Sequence, residues 1–321
     1  MFFRETAGYN SDEFFAASGI GEFWVGKRPS LKQVSALLDI QTQSLTAYKA
    51  FLKTLPKEKI HNLNKDEKLA QFVSELRLVK DEFEIKELRK AVAASVKGFE
   101  AAAKSLKQAV GHARGERIVE TAFYAQARIE GNGLGYETIS AAGAHSCILH
   151  WMSNDGPVKK NDLILLDAGV EVDSLYTADV TRTLPVSGKF TDVQQKIYEA
   201  VLEAADAAFK VAKPGAKFRD LHDAAMQVIA RKTAEWGLIG ISAEESLNPE
   251  IQLHRRWMVH GTSHHIGLDV HDCAQARREM YIEATLEPGM VFTIEPGLYF
   301  HENDMSVPKE YRGIGVRIED N

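Results

Sequence analysis

The sequence predicts an α+β fold in which two rounds of helices are each followed by antiparallel strands. Apolar residues that recur every three or four positions predict two long helices after residue 80 and two more after residue 190. Short apolar runs bounded by turn residues follow each helical pair and predict strands. This order is typical of an α+β domain with an architectural repeat, although the two halves share no residue-level similarity.

The first 70 residues differ in character from the rest. An aromatic stretch, Glu22–Gly26, predicts a strand, and helical patterns follow at Leu31–Leu38 and Leu45–Leu55. The polar, lysine-rich stretch Pro56–Glu67 predicts a linker. We therefore expect residues 1–70 to be the remnant of a larger N-terminal domain plus a linker, and residues 71–321 to form a second domain.

Helices and strands alternate in blocks within residues 71–321. The first block has predicted helices from Asp81 and from Arg114 to Ile129, then strands near Thr138–Ser140, Leu163–Asp167 and Asp179–Pro185. The second block has predicted helices from Thr191 to Val211 and over Phe218–Trp236, then strands near Val259, Met290–Glu295 and Gly315–Glu319. Each block thus ends in strands that carry acidic or histidine residues.

The composition is that of a soluble enzyme and argues against nucleic-acid or membrane partners. The chain has 321 residues, 39 basic and 45 acidic, with a net charge of −6. No apolar run approaches the ~20 residues of a membrane span, and the N-terminus lacks the pattern of a signal peptide. Cys147 and Cys273 are expected to be buried, reduced thiols, with one disulfide between them as the alternative. We therefore expect a cytoplasmic protein.

Five side chains of metal-binding type lie at or near the predicted strands of the second domain. They are Asp167, Asp179, His264, Glu295 and Glu319. Four carboxylates and one imidazole that converge on one place would leave the carboxylates repelling each other unless cations lay between them. Oxygen-rich ligation with a single nitrogen suits a pair of Mn²⁺, Co²⁺, Fe²⁺ or Zn²⁺ ions. The pattern therefore predicts a metal-dependent hydrolase.

The first two of these carboxylates flank a predicted hairpin. The run Leu163–Leu166 is apolar without alternation, as in a strand buried on both faces, and it ends at Asp167. The polar segment Glu171–Leu175 predicts a turn that would bring Asp167 and Asp179 side by side on neighbouring strands. Three threonines share the alternation of Asp179 and are expected to hydrogen-bond the ligands: Thr177, Thr181 and Thr183.

The segment Val259–Asp272 is the densest cluster of histidines in the chain. It contains His260, His264, His265 and His271, together with glycines that let the backbone approach closely. A lone histidine is more often structural, but four within twelve positions favour a functional site. The residues alone do not decide which of the four is the ligand.

The last two carboxylates each end a short apolar run. Glu295 follows Val291–Ile294, and Pro296 is expected to break that strand. Glu319 follows Ile318, with Arg317 on the same face of the predicted strand. An arginine beside such a carboxylate would orient it and hold it ionised. The alternative is a surface Arg–Glu pair on an edge strand.

Several short motifs resemble one family of metallopeptidases. The motifs are Cys147–His150, Leu166–Gly169, Ala178–Thr183, His260–Asp272, Thr293–Tyr299 and Gly315–Glu319. In this order they resemble the pita-bread family, which includes methionine aminopeptidase, prolidase, creatinase and aminopeptidase P. From Leu76 to Asn321 the chain resembles the bacterial Xaa-Pro aminopeptidases. The resemblance implies a pita-bread fold around a dinuclear metal site, in a chain that we expect to be truncated at both ends.

The resemblance also implies a role for each candidate residue. Asp167 would bind one ion, Asp179 and Glu319 would bridge both, and His264 and Glu295 would complete the other site. Glu295 would also accept a proton from the water between the ions. The pocket histidines His150, His260 and His271 would stabilise the tetrahedral intermediate or the leaving nitrogen, and Arg317 would orient the ligands. His265 receives no role.

The implied activity is release of the N-terminal residue from peptides that have proline in second position. The resemblance implies two divalent metal ions that activate a water to hydroxide, with Mn²⁺ favoured and Co²⁺ or Zn²⁺ fitting the same ligands. It also implies peptide substrates and a homo-oligomer. The alternatives are a prolidase limited to Xaa-Pro dipeptides and a peptide-binding relative without catalysis. A binding relative should have replaced ligands, and none of the five is replaced.

Overall fold

The chain divides after Leu69 into two units, Met1–Leu69 and Ala70–Asn321. The computed structural model describes residues 1–16 and 18–321. None of the helices in these described ranges combines the length and the apolar composition that crossing a bilayer requires.

The described part of the first unit contains short helices and one pair of two-residue strands. The strands are β1 (Phe2–Phe3) and β2 (Gln43–Ser44), and the helices are α1 (Glu22–Val25), α2 (Leu31–Leu38) and α3 (Tyr48–Thr54). The predicted helix Leu31–Leu38 is confirmed, and a capping box between Ser30 and Gln33 fixes its start. The predicted helix Leu45–Leu55 is confirmed from Tyr48, after a 3₁₀ turn.

The predicted strand at Glu22–Gly26 is wrong, because these residues form the short helix α1. The buried Glu22 carboxylate accepts hydrogen bonds from the backbone N–H of Ala7 (2.7 Å) and from Arg28 Nε (3.0 Å). Phe23 packs edge-on against Phe14. These contacts with residues outside the segment override the strand propensity of its aromatic residues.

Three helices open the second unit and lead to its first sheet. They are α4 (Glu67–Leu76), which crosses the unit boundary, α5 (Glu82–Ala109) and α6 (Gly115–Glu130). The sequence did not predict α4, whereas α5 and α6 confirm the predicted helices and pack against each other. A capping box between Asp81 and Glu84 fixes the start of α5.

The remaining helices confirm the predicted second block. α7 (Asp192–Val211) begins at the predicted cap Thr191, and α8 (Phe218–Glu235) ends before Gly237, whose φ is +70°. The four-residue helix α9 (Ala243–Ser246) follows α8.

A three-stranded antiparallel sheet lies between the two helical pairs, and its central strand is buried on both faces. The named strands before the last block are β3 (Gly133–Leu134), β4 (Ile139–Ala142), β5 (Leu163–Ala168), β6 (Val170–Glu171) and β7 (Val180–Pro185). β5 pairs with β4 on one side and with β7 on the other. Its side chains alternate: Leu163 and Leu165 pack in a core with α7 and α8, whereas Ile164 and Leu166 pack in a core with α5 and α6. The predicted double burial of this strand is confirmed.

The last part of the chain forms one regular hairpin and one irregularly paired segment. β8 (Gly297–Phe300) pairs with β9 (Ile314–Arg317), so Pro296 precedes a strand instead of ending one. The predicted strands near Val259 and at Met290–Glu295 are wrong as continuous strands. Alternate residues of 290–295 instead form isolated bridges to different partners, Phe292 to His265 and Ile294 to Asp320. Because single residues of 290–295 pair with partners on different sides, the segment is extended but forms no regular ladder of hydrogen bonds.

Neighbouring backbone segments approach each other closely at Gly169, between β5 and β6. A Cβ atom at this position would lie 1.7 Å from the carbonyl oxygen of Ala178. We predict that Gly169→Ala lowers the free energy of unfolding by at least about 2 kcal/mol, because the strands that carry Asp167 and Asp179 must separate. Urea unfolding would measure the change.

Gly261→Ala is the matched control for Gly169→Ala. A Cβ atom at Gly261 would meet no atom closer than 4.0 Å, and we expect a change below about 1 kcal/mol. Equal unfolding midpoints for the two variants would contradict the close approach at Gly169.

Candidate metal centre

The five predicted ligand residues lie on backbone segments of the second unit, and each segment is hydrogen-bonded to the next. Asp167 in β5 is opposite Thr181 in β7, and Thr181 pairs in turn with Glu319. The neighbour of Glu319, Asp320, pairs with Ile294, and the backbone N–H of Thr293 donates to the carbonyl of His264 at 2.8 Å. Residues far apart in sequence thus reach one place through a continuous row of backbone hydrogen bonds.

Side-chain atoms of these residues converge within a few ångströms. His264 Nε2 lies 3.2 Å from Asp179 Oδ2 and 3.4 Å from Glu295 Oε1. Potential ligand atoms of Asp179, His264 and Glu319 all lie within 4.8 Å of one another. Asp167 joins the group through Tyr136, whose hydroxyl is 2.7 Å from Asp167 Oδ1 and 2.5 Å from Asp179 Oδ1.

The hydrogen bonds of His264 indicate that a cation or a proton belongs beside it. Its Nδ1 lies 3.2 Å from the carbonyl oxygen of His265, and only a protonated Nδ1 can bond to that acceptor. In the neutral ring, Nε2 then directs a lone pair at the oxygens of Asp179 and Glu295. The lone pair of Nε2 and those of the carboxylate oxygens repel each other unless a positive charge lies between them. This set of donor atoms therefore fits a metal ion.

Burial and mutual repulsion shift the acids of the centre away from their ordinary ionisation. Burial raises the pKa of Glu295 to about 7, and the neighbouring Asp179 and Asp167 act in the same direction. Burial, followed by the Asp179 and Glu295 charges, raises the pKa of Glu319 well above its usual range. Burial also raises the pKa of Asp167, despite the opposing Arg317. In the metal-free chain Glu295 and Glu319 therefore tend to hold protons where cations would otherwise bind, whereas Asp167 is paired with Arg317.

Arg317 is the buried cation that binds the carboxylates together. Its guanidinium donates to Asp167, to Thr181 Oγ1 (3.1 Å) and to the Tyr299 hydroxyl (3.1 Å). Arg317 and Glu319 are 4% and 2% exposed, so the alternative of a surface pair on an edge strand is wrong.

The three threonines of the predicted hairpin behave differently. Thr181 confirms the expectation, because its hydroxyl donates to Glu319 Oε2 at 2.6 Å. Thr183 instead donates to the backbone carbonyl of Arg317, and Thr177 to that of Ala178. The period of two is correct, but the expected contacts of Thr177 and Thr183 with the ligands are wrong, because backbone acceptors lie closer to them.

His260 belongs to a chain of hydrogen bonds that begins at Arg317. Its Nδ1 bonds to the Gly261 carbonyl at 2.7 Å, so its Nε2, 2.8 Å from the Tyr299 hydroxyl, accepts the proton of that hydroxyl. Burial, and secondly the charge of Arg317, lowers the pKa of His260 to about 4. His260 is therefore neutral near pH 7, and both of its nitrogens are occupied.

The other histidines of the cluster divide between the cavity and the core. A cavity of about 460 Å³ is lined by the candidate ligands together with His150 and His271, both of which are exposed. The ring of His271 lies edge-on to His264, with centroids 4.4 Å apart. His265 points away: it is fully buried, stacks on Phe218, and neither ring nitrogen has a hydrogen-bond partner among the described residues.

Two tyrosines complete the centre, and sequence reasoning missed them as functional candidates. Tyr136 contacts both Asp167 and Asp179, and Tyr299 links Arg317 to His260. Tyr299 lies four residues after Glu295, within a motif that the sequence already singled out. Tyr136 precedes β4 in an irregular segment, where no periodicity signals its direction.

Comparison with known proteins identifies the family. A sequence profile of metallopeptidase family M24 matches residues 86–321. The chain belongs to this family. The structure of Pseudomonas aeruginosa aminopeptidase PepP superposes on it with a TM-score of 0.82 and 30% identity, covering 93% of this chain and 73% of that one. The pita-bread fold expected from the motifs is confirmed.

Similar proteins with a known name match most of this chain. Xaa-Pro aminopeptidase 1 of Streptomyces coelicolor is 50% identical over 322 residues, which cover 95% of this chain. The chain spans 65% of the length of that relative. Zinc-substituted Escherichia coli aminopeptidase P in complex with product has a TM-score of 0.80 and 29% identity, covering 93% of this chain and 73% of that one.

The contacts of Arg317 predict that its charge stabilises the metal-free protein. Arg317→Met would leave the buried Asp167 carboxylate without its cation, and we expect a loss of about 3–5 kcal/mol in the free energy of unfolding. Urea unfolding of chelator-treated protein at pH 7 would measure this loss.

Arg278→Met serves as the control for Arg317→Met. The Arg278 side chain is 67% exposed and pairs with Glu283 at the surface, so its removal should change stability by less than about 0.5 kcal/mol. A loss for Arg317→Met no larger than the control's would contradict the role assigned to the buried guanidinium.

Proposed function

We propose that this protein is a metal-dependent aminopeptidase that releases the N-terminal residue from peptides with proline in second position. The observation that carries the proposal is the convergence of Asp167, Asp179, His264, Glu295 and Glu319 on one cavity in a chain of the M24 family. The names of its relatives, Xaa-Pro aminopeptidase and aminopeptidase P, support the substrate class.

The proposed ligand roles are those that the resemblance to the pita-bread aminopeptidases implies. Asp179 and Glu319 would bridge two ions, Asp167 would complete one site, and His264 with Glu295 would complete the other. The short distances from His264 to Asp179 and Glu295 support this grouping. Arg317 and Tyr136 would orient Asp167, and Thr181 would orient Glu319, through the hydrogen bonds described above.

Bound divalent cations would supply Lewis acidity and a nucleophilic water at neutral pH. Glu295 is placed to receive the proton of that water, because its carboxylate borders the cavity beside His264. A positioned base of this kind contributes roughly 10²–10⁴-fold to the rate. The Thr293 hydroxyl, which donates to Glu295 Oε1 at 3.4 Å, would help to orient the carboxylate.

The histidines would then act on the substrate in two ways. His150 and His271 are exposed to the cavity, and they would donate to the developing oxyanion or to the leaving nitrogen. His260 would act indirectly, because both of its nitrogens bond within the protein. The leaving nitrogen of any peptide bond needs a proton as it departs, and before proline that nitrogen belongs to a tertiary amide without an N–H.

Three further expectations belong to this proposal. Manganese is the proposed metal, supported by four oxygen-donor side chains against one imidazole. A self-associated state is proposed from the resemblance to aminopeptidase P. A cytoplasmic location is proposed from the same resemblance, and both cysteines are free and buried, as in a reducing compartment.

Hydrolysis of matched peptides tests the proposal. We predict Mn²⁺-dependent release of the first residue from an Xaa-Pro-Xaa tripeptide, followed by mass spectrometry, and loss of that release with chelator. Glu295→Gln should lower kcat at least about 100-fold, because the amide can neither accept the proton nor hold a cation as well.

Glu287→Gln, at an exposed glutamate outside the centre, provides the control and should retain activity. Cleavage of an Xaa-Pro dipeptide but not of the tripeptide would show that the protein is a prolidase and not an aminopeptidase. A binding protein without catalysis would cleave neither peptide and would retain no metal after purification.

A further inference from the structure

His150 lies in a segment with little regular structure of its own. After β4 ends at Ala142, a 3₁₀ turn covers Gly143–Cys147, and residues 148–157 contain no helix or strand. His150 is exposed and borders the cavity. Its direction therefore depends on what holds this segment from outside.

The buried carboxylate of Glu116, in the first turn of α6, holds the segment at both ends. Glu116 is 0% exposed and accepts four hydrogen bonds. The donors to Oε1 precede His150 and those to Oε2 follow it: Ala142 N–H (2.8 Å), His145 Nδ1 (2.8 Å), Trp151 Nε1 (2.9 Å) and Gly156 N–H (2.7 Å). One side chain thus clamps the chain on both sides of the histidine.

Both oxygens of the Glu116 carboxylate are fully hydrogen-bonded in this clamp. A buried carboxylate is costly unless its oxygens are satisfied, and here each oxygen receives two donors. His145 and Trp151 stack with ring centroids 3.9 Å apart, which keeps both donors in place. A Cβ atom at Gly156 would lie 2.5 Å from the His145 ring, so no other side chain fits at this point.

The Asn154 side chain ties the same segment to the sheet, and a backbone hydrogen bond ties it to α6. Asn154 accepts from the N–H of Ser140 at 2.8 Å and donates to the carbonyl of Thr138 at 2.8 Å. The N–H of Glu116 donates to the carbonyl of Gly156 at 3.2 Å. The tryptophan held by Glu116 is the residue directly after His150, so its indole fixes the course of the chain next to that histidine.

We propose that Glu116 is a positioning residue, which sets the direction of His150 toward the substrate. This inference rests on the proposed function, in which His150 acts on the peptide. Glu116 itself does not line the cavity. Its effect on the reaction should therefore pass through His150.

A double-mutant cycle tests the coupling in the metal-loaded chain of 321 residues. Glu116→Gln keeps one acceptor oxygen but turns an NH₂ group toward two donors, and we expect kcat/KM for the tripeptide to fall about 10–100-fold. If the effect passes through His150, Glu116→Gln combined with His150→Ala should be no more than about twofold slower than His150→Ala alone. Additive losses would overturn the proposal.

The matched control is Glu120→Gln, one turn further along α6. Glu120 makes no side-chain hydrogen bond with any described residue, and this variant should keep the full rate. Hydrogen exchange of residues 148–157 should accelerate in Glu116→Gln and not in Glu120→Gln, while β5 stays protected. Unchanged exchange of 148–157 in Glu116→Gln would also overturn the proposal.

A milder variant covers the case in which Glu116→Gln does not fold. Trp151→Phe removes one donor and leaves the carboxylate, so a smaller loss that also disappears in the His150→Ala background is expected. Additivity of this variant with His150→Ala would count against the coupling. If the unmodified chain cleaves no peptide, the aminopeptidase proposal fails, and exchange of residues 148–157 still decides whether Glu116 anchors the segment.

Discussion

Repulsion among four closely placed carboxylates, three buried and one partly buried, is the constraint on which the rest of this structure depends. Asp167, Asp179, Glu295 and Glu319 surround one small space, and the buried Arg317 supplies only one positive charge to them. Without further cations, burial and the neighbouring carboxylates raise the pKa values of Glu295 and Glu319, which favours their protonated forms. The centre is thus built for positive charge that the polypeptide does not itself provide.

The fold resists this repulsion by placing each acid on paired, buried backbone. Separate hydrophobic cores pack on the two faces of β5, so Asp167 cannot easily move away from the other carboxylates. Glu319 is held by pairing with Thr181, both through the backbone and through the Thr181 hydroxyl. Packing against two helical pairs therefore supplies the rigidity that keeps like charges together.

Much of this arrangement could be predicted from sequence because local patterns encode it. The uninterrupted apolar run before Asp167 indicated a strand buried on both faces, and the predicted capping residue Thr191 marked where a helix begins. The ordered set of acids and His264 indicated a shared site. Long helices and buried strands have apolar patterns that can be recognised directly in the sequence.

The rest depends on contacts that no local pattern records. Glu22 lies in a helix because Ala7 and Arg28 bond to its carboxylate, and Tyr136 reaches the centre from irregular backbone. Residues 290–295 resembled a strand, but they pair with different partners on two sides and form only isolated bridges. Glu116 looked like an ordinary residue in the first turn of a helix, and its role depends on a segment up to 40 positions away.

Anomalous diffraction at the manganese edge, from crystals of the Mn²⁺-loaded chain, tests the central claim most directly. The account predicts two peaks about 3.5–4 Å apart in the cavity, with carboxylate oxygens of both Asp179 and Glu319 in contact with each ion. A single peak, or two peaks whose ions are not both in contact with these carboxylates, would contradict the claim that the acids form one dinuclear centre.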